Sequence, residues 1–206
     1  MPGPSPDSTV RPRLLDAADA LLARSGYAAM TIAAVAAEAG VGKGSVYLHF
    51  ASKQELAIAC IDRMADRVLG TLTHLAEEQT SAPERLHAML LARVLLRFDY
   101  AQGHAASLDD LLGAVRPALL ERRRAQFAAE AQVFVRLLDA GAREGTLRRA
   151  APGAAAALVT ATNALLPYSL SAAELGQRRA LEHRASTLAD LLLHGLMPFD
   201  SRRRNR

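Results

Sequence analysis

The sequence predicts an all-α protein of about nine helices. Hydrophobic residues make up 50% of the 206 residues but aromatic residues only 4%, and alanine and leucine dominate the apolar set. Because strands favour aromatic and β-branched side chains, this composition favours helices. Apolar residues also recur with a helical period, and no alternating strand pattern interrupts them.

The N-terminal segment is predicted to hold a short arm and a first helix. Residues 1–9 are rich in proline and serine and are expected to be disordered. A helix follows over about residues 11–25 and ends at Gly26, a residue type suited to a helix C-terminus. Its apolar side chains share one face: Leu14, Ala18, Leu21 and Leu22.

Two shorter helices are predicted next, joined by a turn that contains glycine. Thr31 has the hydroxyl side chain of an N-cap, and Gly40 ends the second helix. The third helix covers about residues 43–50, with Val46 and Phe50 on its inner face. Two helices joined in this way are typical of a helix-turn-helix, whose second helix enters the major groove of DNA.

The remaining helices are predicted from their first turns. A hydroxyl residue followed three positions later by a carboxylate, the capping-box spacing, occurs at Ser52/Glu55, Ser81/Glu84, Ser107/Asp110 and Ser171/Glu174. Two more helices are expected to begin with a proline in the first turn, at Pro117 and Pro152. The helices predicted from these starts cover residues 52–78, 82–100, 107–115, 116–141, 152–170 and 172–194.

Charge and cysteine content limit the possible functions. The net charge of +4 and the isoelectric point near 9.7 allow a nucleic-acid partner. Residues 1–54 hold five basic and four acidic residues, so DNA contact there must depend on placement rather than on total charge. The single cysteine, Cys60, excludes an intrachain disulfide and is expected to be a reduced core thiol. With no recognisable signal peptide and no apolar run of about 18 residues, a cytoplasmic location is expected.

The outward side of the third helix carries the predicted DNA-reading residues: Lys43, Gly44, Ser45, Tyr47, Leu48 and His49. Lys43 and Ser45 can donate to guanine or to phosphate, and Leu48 can touch a thymine methyl group. Gly44 lets the backbone approach DNA closely. Tyr47 and His49 have polar tips that suit phosphate oxygens.

The positions of the lysines also indicate a DNA-contacting surface here. Only two of the 25 basic residues are lysines, and both, Lys43 and Lys53, lie in the first turns of predicted helices. A cation there is unfavourable by roughly 0.3–1 kcal/mol unless an anion lies between it and the helix end. We therefore expect phosphate contacts at both lysines and at the helix start capped by Thr31. The alternative is that the lysines are ordinary solvated residues.

Residues 11–60 resemble the N-terminal domain of the TetR family of transcriptional regulators. The resemblance lies in Thr31-Ile32, in Ala39-Gly40-Val41 at the turn, and in the segments 44–50 and 52–56, GSVYLHF and SKQEL. It implies a nine-helix homodimer with a C-terminal pocket for a small-molecule effector that relieves repression. One difference is Leu48, which stands where many members have an aromatic residue.

The last two helices are predicted to form the dimer interface. The segment 154–166 is apolar nearly all round and must be covered on more than one side, whereas helix 172–194 carries one narrow apolar stripe. A four-helix bundle across a two-fold axis would cover both, and an ordinary intrachain core is the alternative. The predicted interface residues are Leu158, Thr162, Leu165, Leu181, Ala185, Leu188 and Leu192.

The candidate effector pocket is drawn from apolar, aromatic and arginine residues: Met89, Arg93, Arg97, Phe98, Tyr100, Phe127, Phe134 and Tyr168. Because buried arginines need partners, Arg93 and Arg97 either face an acidic ligand or pair with carboxylates such as Asp99, Asp109 or Asp110, unless they are surface-exposed. Ordinary core packing of the aromatic residues is equally compatible with the sequence. The histidines show no metal-like spacing, so no metal site is expected.

Together these features predict four segments: a disordered arm (1–9), a helix-turn-helix domain (10–54), a ligand-binding and dimerisation domain (55–198) and a basic tail (199–206). We expect a homodimeric repressor that binds a palindromic operator in double-stranded DNA and is released by a small-molecule effector, without a cofactor. An activator or an effector-independent DNA-binding protein is the alternative. A helical enzyme is disfavoured because no catalytic constellation is present, and a protein-only adaptor because it needs no groove-shaped polar row.

Overall fold

All regular secondary structure in the described part of the chain is helical, which confirms the predicted class. The computed structural model describes residues 6–104, 108–166 and 176–198. Eight helices lie in these ranges: α1 Pro6–Ala29, α2 Ile32–Glu38, α3 Lys43–His49, α4 Lys53–Ala76, α5 Ala82–Gly103, α6 Leu108–Glu144, α7 Ala154–Asn163 and α8 Arg178–His194. The tail from 199 onwards lies outside the described residues.

Two predicted boundaries differ from the structure, and each lies at a proline. Helix α1 begins at Pro6, so residues 6–9 of the expected disordered arm are helical. Proline is accepted in a first turn because its missing N–H has no intrahelical partner there. The predicted helices 107–115 and 116–141 form one continuous helix, α6, with Pro117 inside it. An interior proline removes one intrahelical hydrogen bond and usually disfavours a helix, but α6 continues through Pro117.

Of the two capping boxes within the described residues, the one at Ser81/Glu84 is formed and the one at Ser52/Glu55 is formed in its hydroxyl half, with the carboxylate bonded one residue further back. The Ser81 amide donates to Glu84 Oε2 at 2.9 Å, and the Glu84 amide donates to Ser81 Oγ at 3.4 Å. Ser52 Oγ accepts from the Glu55 amide at 3.0 Å, while the Glu55 carboxylate accepts from the Ala51 amide at 2.7 Å. The pairs that begin at Ser107 and Ser171 fall on residues outside the described ranges.

The first compact unit contains the three N-terminal helices, the first half of α4, and residues 100–122. Its core draws on all of these elements and includes Leu14, Leu22, Val35, Val46, Phe50, Leu56, Ile61, Leu111 and Val115. Gln54 Nε2 also donates to the Ala114 carbonyl at 2.7 Å. The unit is larger than the expected domain 10–54 because α4 and α6 bury apolar residues in the same core.

The second unit comprises residues 66–99 and the described residues from 123 onwards. Leu86, Leu90 and Phe134 are buried in it, and α7 packs against α8. Gly141, near the end of α6, marks a close approach: an added Cβ would lie 2.7 Å from Leu147 Cδ1 and 2.8 Å from Ala82 Cβ. Only glycine fits there without displacing its neighbours.

Candidate nucleic-acid interface

The turn between α2 and α3 has a defined geometry. Thr31 caps α2 by accepting the Ala34 amide on its Oγ1 at 3.1 Å. At the other end, Gly40 adopts φ +64° and donates its amide to the Ala37 carbonyl at 3.1 Å, while the Val41 amide donates to the Ala36 carbonyl at 2.9 Å. This pair of bonds is the Schellman pattern that ends a helix at a left-handed glycine. It fixes the direction in which the chain enters α3.

Helix α3 has one buried and one exposed side. Val46 and Phe50 are 0% and 2% exposed, as their spacing predicts. Tyr47 and Leu48, in contrast, are 57% and 83% exposed. A large apolar side chain and a phenol therefore project from the same helix that is anchored by two core residues.

The other predicted DNA-reading residues share this exposed side to different degrees. Thr31, Lys43 and Gly44 are exposed, while Ser45 and His49 are half-buried. No atom lies within 4 Å of the position that a Cβ on Gly44 would occupy. The structure thus keeps the surface open at the first turn of α3, where a helix in the major groove approaches the bases.

Lys53 differs from Lys43 because its ammonium group is engaged within the chain. Its Nζ donates to the Ala28 carbonyl at 3.1 Å and lies 4.3 Å from the centre of the Tyr27 ring. The start of α4 is already satisfied by Ser52 and by the Glu55 carboxylate. The helix-dipole argument for a phosphate is therefore weaker at Lys53 than at Lys43, and a phosphate contact of Lys53 stays a prediction.

Sequence reasoning missed a set of arginines on α1. Arg13 Nη2 donates to the Ala39 carbonyl at the end of α2, and a Cβ on Gly40 would lie 3.2 Å from the same nitrogen. The Arg11 guanidinium lies 5.3 Å from the centre of the Phe50 ring. These contacts link α1 to the turn between α2 and α3 and to the end of α3. Because they join residues far apart in the chain, no local spacing pattern could have predicted them.

A second polar cluster connects α1 with α4 and with the end of α5. Arg63 donates to Asp16 at 2.6 Å and also to Asp19, and the Tyr100 hydroxyl donates to Asp19 Oδ1 at 2.9 Å. Burial, reinforced by the charge of Asp19, raises the pKa of Tyr100 well above its ordinary value. Tyr100 therefore belongs to the first unit and is tied to Asp19, which does not support its predicted role in an effector pocket. Burial likewise raises the pKa of the Cys60 thiol, which is free and in the core as expected.

Arg93 and Arg97 are buried, and their partner is Glu130. Arg93 Nε donates to Glu130 Oε2 at 2.6 Å, and Arg97 Nη2 donates to Glu130 Oε1. Arg93 also donates to Thr162 Oγ1 at 2.6 Å and to Asn163 Oδ1 at 2.8 Å. The expectation of carboxylate pairing is confirmed, but the predicted acidic partners are wrong. Glu130 lies more than 30 residues away, on α6, where no local pattern connects it to α5.

The other predicted pocket residues are mostly core residues. Met89, Phe98 and Phe134 are at most 1% exposed, which agrees with the packing alternative. The Phe127 ring lies 4.9 Å from the Arg93 guanidinium. Tyr168 lies outside the described residues. Asp99 pairs with Arg178 at 2.8 Å rather than with either buried arginine.

The predicted dimer interface is wrong at four positions. Leu158, Thr162, Leu181 and Ala185 are at most 3% exposed in a single chain, so a second subunit could cover nothing more of them. The apolar stripes of α7 and α8 face their own chain, as in the intrachain alternative. Small and apolar residues are exposed elsewhere on the two helices, among charged residues on α8: Ala156, Ala157 and Thr160 on α7, and Ala180, Thr187 and Leu191 on α8. Leu165, Leu188 and Leu192 are half-buried.

The described residues contain neither a candidate membrane-spanning helix nor a candidate metal site. No helix there is long and apolar enough to cross a membrane. Within the same ranges, no group of three His, Cys, Asp or Glu side chains is arranged to hold a metal ion.

Comparison with known proteins identifies relatives that regulate transcription. A model for bacterial regulatory proteins of the tetR family matches residues 14–60. The chain is 28% identical over 145 residues to the HTH-type transcriptional repressor KstR2 of Mycobacterium tuberculosis, covering 67% of this chain and 69% of that protein. Another HTH-type transcriptional repressor of M. tuberculosis is 34% identical over 120 residues, which is 55% of this chain and 63% of that protein.

The alignments with curated relatives span between 25% and 69% of those proteins. Among solved structures, a transcriptional regulator from Cytophaga hutchinsonii superposes with a TM-score of 0.74, covering 90% of this chain and 97% of that chain at 16% identity. That likeness concerns the fold. Residues 14–60 are thus similar to the helix-turn-helix segment of bacterial regulatory proteins of the tetR family, and the fold is similar to that of solved transcriptional regulators.

Proposed function

We propose that the chain is a homodimeric repressor that binds a palindromic operator and is released by a small-molecule effector. The observation that carries the DNA-binding part is the division of α3 into two sides, with Val46 and Phe50 in the core and Tyr47 and Leu48 exposed. A helix fixed in this way can enter a groove without giving up its own packing. Relatives named as repressors support the direction of control.

The exposed groups suit contacts of two kinds. Lys43 is exposed at the first turn of α3 and can donate to a phosphate or to the acceptor edge of guanine. The Tyr47 hydroxyl can donate to a phosphate oxygen. Thr31 uses its oxygen to accept the Ala34 amide, so its hydroxyl proton remains available for a phosphate on the other side of the turn. Phosphate contacts would set the register of the protein on DNA, and base contacts would select the sequence.

The dimer is proposed to form through the exposed faces of α7 and α8. Small residues on α7, such as Ala156 and Thr160, would allow a second subunit to approach closely, and Leu191 on α8 is 68% exposed. A two-fold axis at this face would repeat α3 in a second copy. Half-sites about 34–36 Å apart would then match one turn of DNA.

An effector-independent regulator is the second candidate, and the packing of the second unit favours it. Met89, Phe98 and Phe134 are fully buried, and Arg93 and Arg97 are satisfied by Glu130, Thr162 and Asn163. An effector at these residues would have to displace existing contacts. The two candidates differ in whether any small molecule changes the affinity for DNA.

The proposal is tested by measuring binding to the DNA next to the gene that encodes this chain. Lys43→Ala and Tyr47→Ala should each weaken binding by about 1–3 kcal/mol, and Lys43→Ala should lower the slope of log affinity against log salt by about one. Arg136→Ala, at an exposed residue of α6, is the control and should behave like the wild type. Unchanged affinity in both α3 variants would reject this surface as the DNA-binding site.

The repressor and effector parts need separate measurements. Adding a panel of apolar and anionic small molecules to the same DNA complex should identify one that releases it. If no compound changes the affinity, the effector-independent candidate is preferred. Sedimentation of Leu191→Glu should show monomers, and an intact dimer would place the interface elsewhere.

A further inference from the structure

We infer that Leu48 is a specificity-determining residue that recognises the C5-methyl group of a thymine in the major groove. This inference rests on the proposed DNA-binding function and names the chemical group of the DNA that Leu48 recognises. Among the large apolar side chains that the structure describes, Leu48 is the most exposed, at 83%. Its neighbours on the outer side of α3 are Lys43, Ser45, Tyr47 and His49, all of which carry polar groups.

The position of Leu48 on α3 favours contact with a base edge. Gly44 lies four residues earlier and therefore on the same face, one turn towards the N-terminus. Helical side chains lean towards the N-terminus, so the Leu48 side chain is directed towards the turn that holds Gly44. Because nothing lies within 4 Å of the Cβ position of Gly44, the leucine stands above an unobstructed surface. Leu48 is thus an exposed apolar projection in the last turn of α3, on the same outer side as the open first turn.

The chemistry of the groove limits what such a projection can recognise. The edges of the base pairs in the major groove present hydrogen-bond donors and acceptors, and the one apolar substituent among them is the thymine C5-methyl group. A leucine neither donates nor accepts hydrogen bonds. It therefore distinguishes thymine from the other bases by burying that methyl group, whereas Lys43 and Ser45 select donors and acceptors.

Replacing thymine with uracil in the operator tests this inference. Uracil lacks only the methyl group and keeps the pairing and the O4 acceptor, so each thymine of the bound DNA is replaced in turn. The effect should occur at one symmetric position in each half-site. There, the wild type should bind the uracil operator about fourfold more weakly for each methyl group removed, as expected for the burial of one methyl-sized group. The affinity is measured by fluorescence anisotropy at a fixed salt concentration.

Variant proteins separate the role of Leu48 from other causes of a difference in affinity between the two operators. Leu48→Ala should bind the thymine and uracil operators equally, and its exposed position should leave the circular dichroism spectrum unchanged. Leu120→Ala, at a leucine of α6 that is 52% exposed, is the matched control and should keep the full difference between the two operators. Restoring the methyl group as 5-methylcytosine in place of cytosine at that position should strengthen binding of the wild type but not of Leu48→Ala.

Two results would overturn the inference while leaving the proposed function intact. Either no thymine replacement changes the affinity of the wild type, or the change persists in full in Leu48→Ala. A different result, in which the chain binds no DNA in a salt-dependent way, would reject the proposed function itself. If Leu48→Ala instead abolishes binding to a protein and leaves DNA binding unaltered, the leucine belongs to a protein contact and the inference is wrong.

Discussion

Polar residues are exposed on the outer side of α3, whereas they are buried in the arginine cluster of the second unit. On α3, the polar side chains face outwards around Leu48, and the core holds Val46 and Phe50. In the second unit, Arg93, Arg97 and Glu130 are at most 2% exposed and bond to one another. The first arrangement exposes Lys43 and Tyr47 to a partner, whereas in the second the charged groups bond to one another within the chain. Residue type alone thus does not identify a binding site.

Removing the carboxylate of the buried cluster should have the largest effect on stability. Glu130→Gln leaves two buried guanidinium groups without their counter-charge, so the free energy of unfolding should fall by about 3–5 kcal/mol. Urea unfolding followed by circular dichroism measures the change. Replacing Arg93, Arg97 and Glu130 together with apolar residues should cost less than Glu130→Gln alone, because no charge is then left unpaired. If Glu130→Gln is as stable as the wild type, the cluster is not a structural network.

Loss of the contact between Arg13 and the α2–α3 turn should have the next largest effect on stability. Arg13 is not on the outer side of α3 but contacts the turn that leads into this helix. Arg13→Met removes the charged donor to the Ala39 carbonyl and should lower stability by about 1.5–3 kcal/mol. Because α3 is then held less firmly, DNA affinity should also fall, but the salt slope should stay unchanged.

Arg24→Ala is the matched control for Arg13, since Arg24 forms only an exposed pair with Glu38 at 3.0 Å. Such pairs contribute roughly 0–1 kcal/mol. A salt slope that falls by about one in Arg13→Met would show that Arg13 contacts a phosphate directly, and the bracing role would then be wrong.

Local sequence patterns predicted the elements well and the long-range contacts poorly, for a physical reason. Helical period, capping residues and Gly40 act over a few residues, so the α2–turn–α3 geometry and the boxes at Ser52 and Ser81 could be predicted. Glu130 as the partner of Arg93 depends on how α5 and α6 pack, which no short segment encodes. On α8, Leu181 and Ala185 are buried as the predicted stripe requires, whereas Leu188 and Leu192 are half-buried. The sequence pattern indicates that a face is covered but does not distinguish the chain's own core from a second subunit.

Lys43 and Lys53 provide a second comparison, with a smaller expected effect on stability. Lys53→Met removes the bond to the Ala28 carbonyl and the contact with the Tyr27 ring, so stability should fall by about 1 kcal/mol. DNA affinity should change less than in Lys43→Ala, and the salt slope should stay the same. If instead the salt slope falls by about one in Lys53→Met and its stability equals that of the wild type, Lys53 contacts phosphate as first expected.

The smallest expected effect concerns the pH dependence of the cap on α5. Hydrogen bonds from the Ser81 hydroxyl and amide lower the pKa of Glu84 below its ordinary value of 4.5. A carboxyl with a lowered pKa in the folded state stabilises the fold above its unfolded-state pKa, and that stabilisation is lost as the pH falls through the lowered value. Because Glu84 is exposed, the change should be slight and screened by salt.

Urea unfolding of the wild type and of Ser81→Ala at a series of acidic pH values measures this cap. The difference in stability between them should be largest near neutral pH and should shrink as Glu84 becomes protonated. In Ser81→Ala the hydroxyl bond to Glu84 is gone, while the backbone amide bond can persist, so part of the pH dependence should remain. A difference that grows on acidification would mean that the carboxylate does not act as the acceptor of this cap.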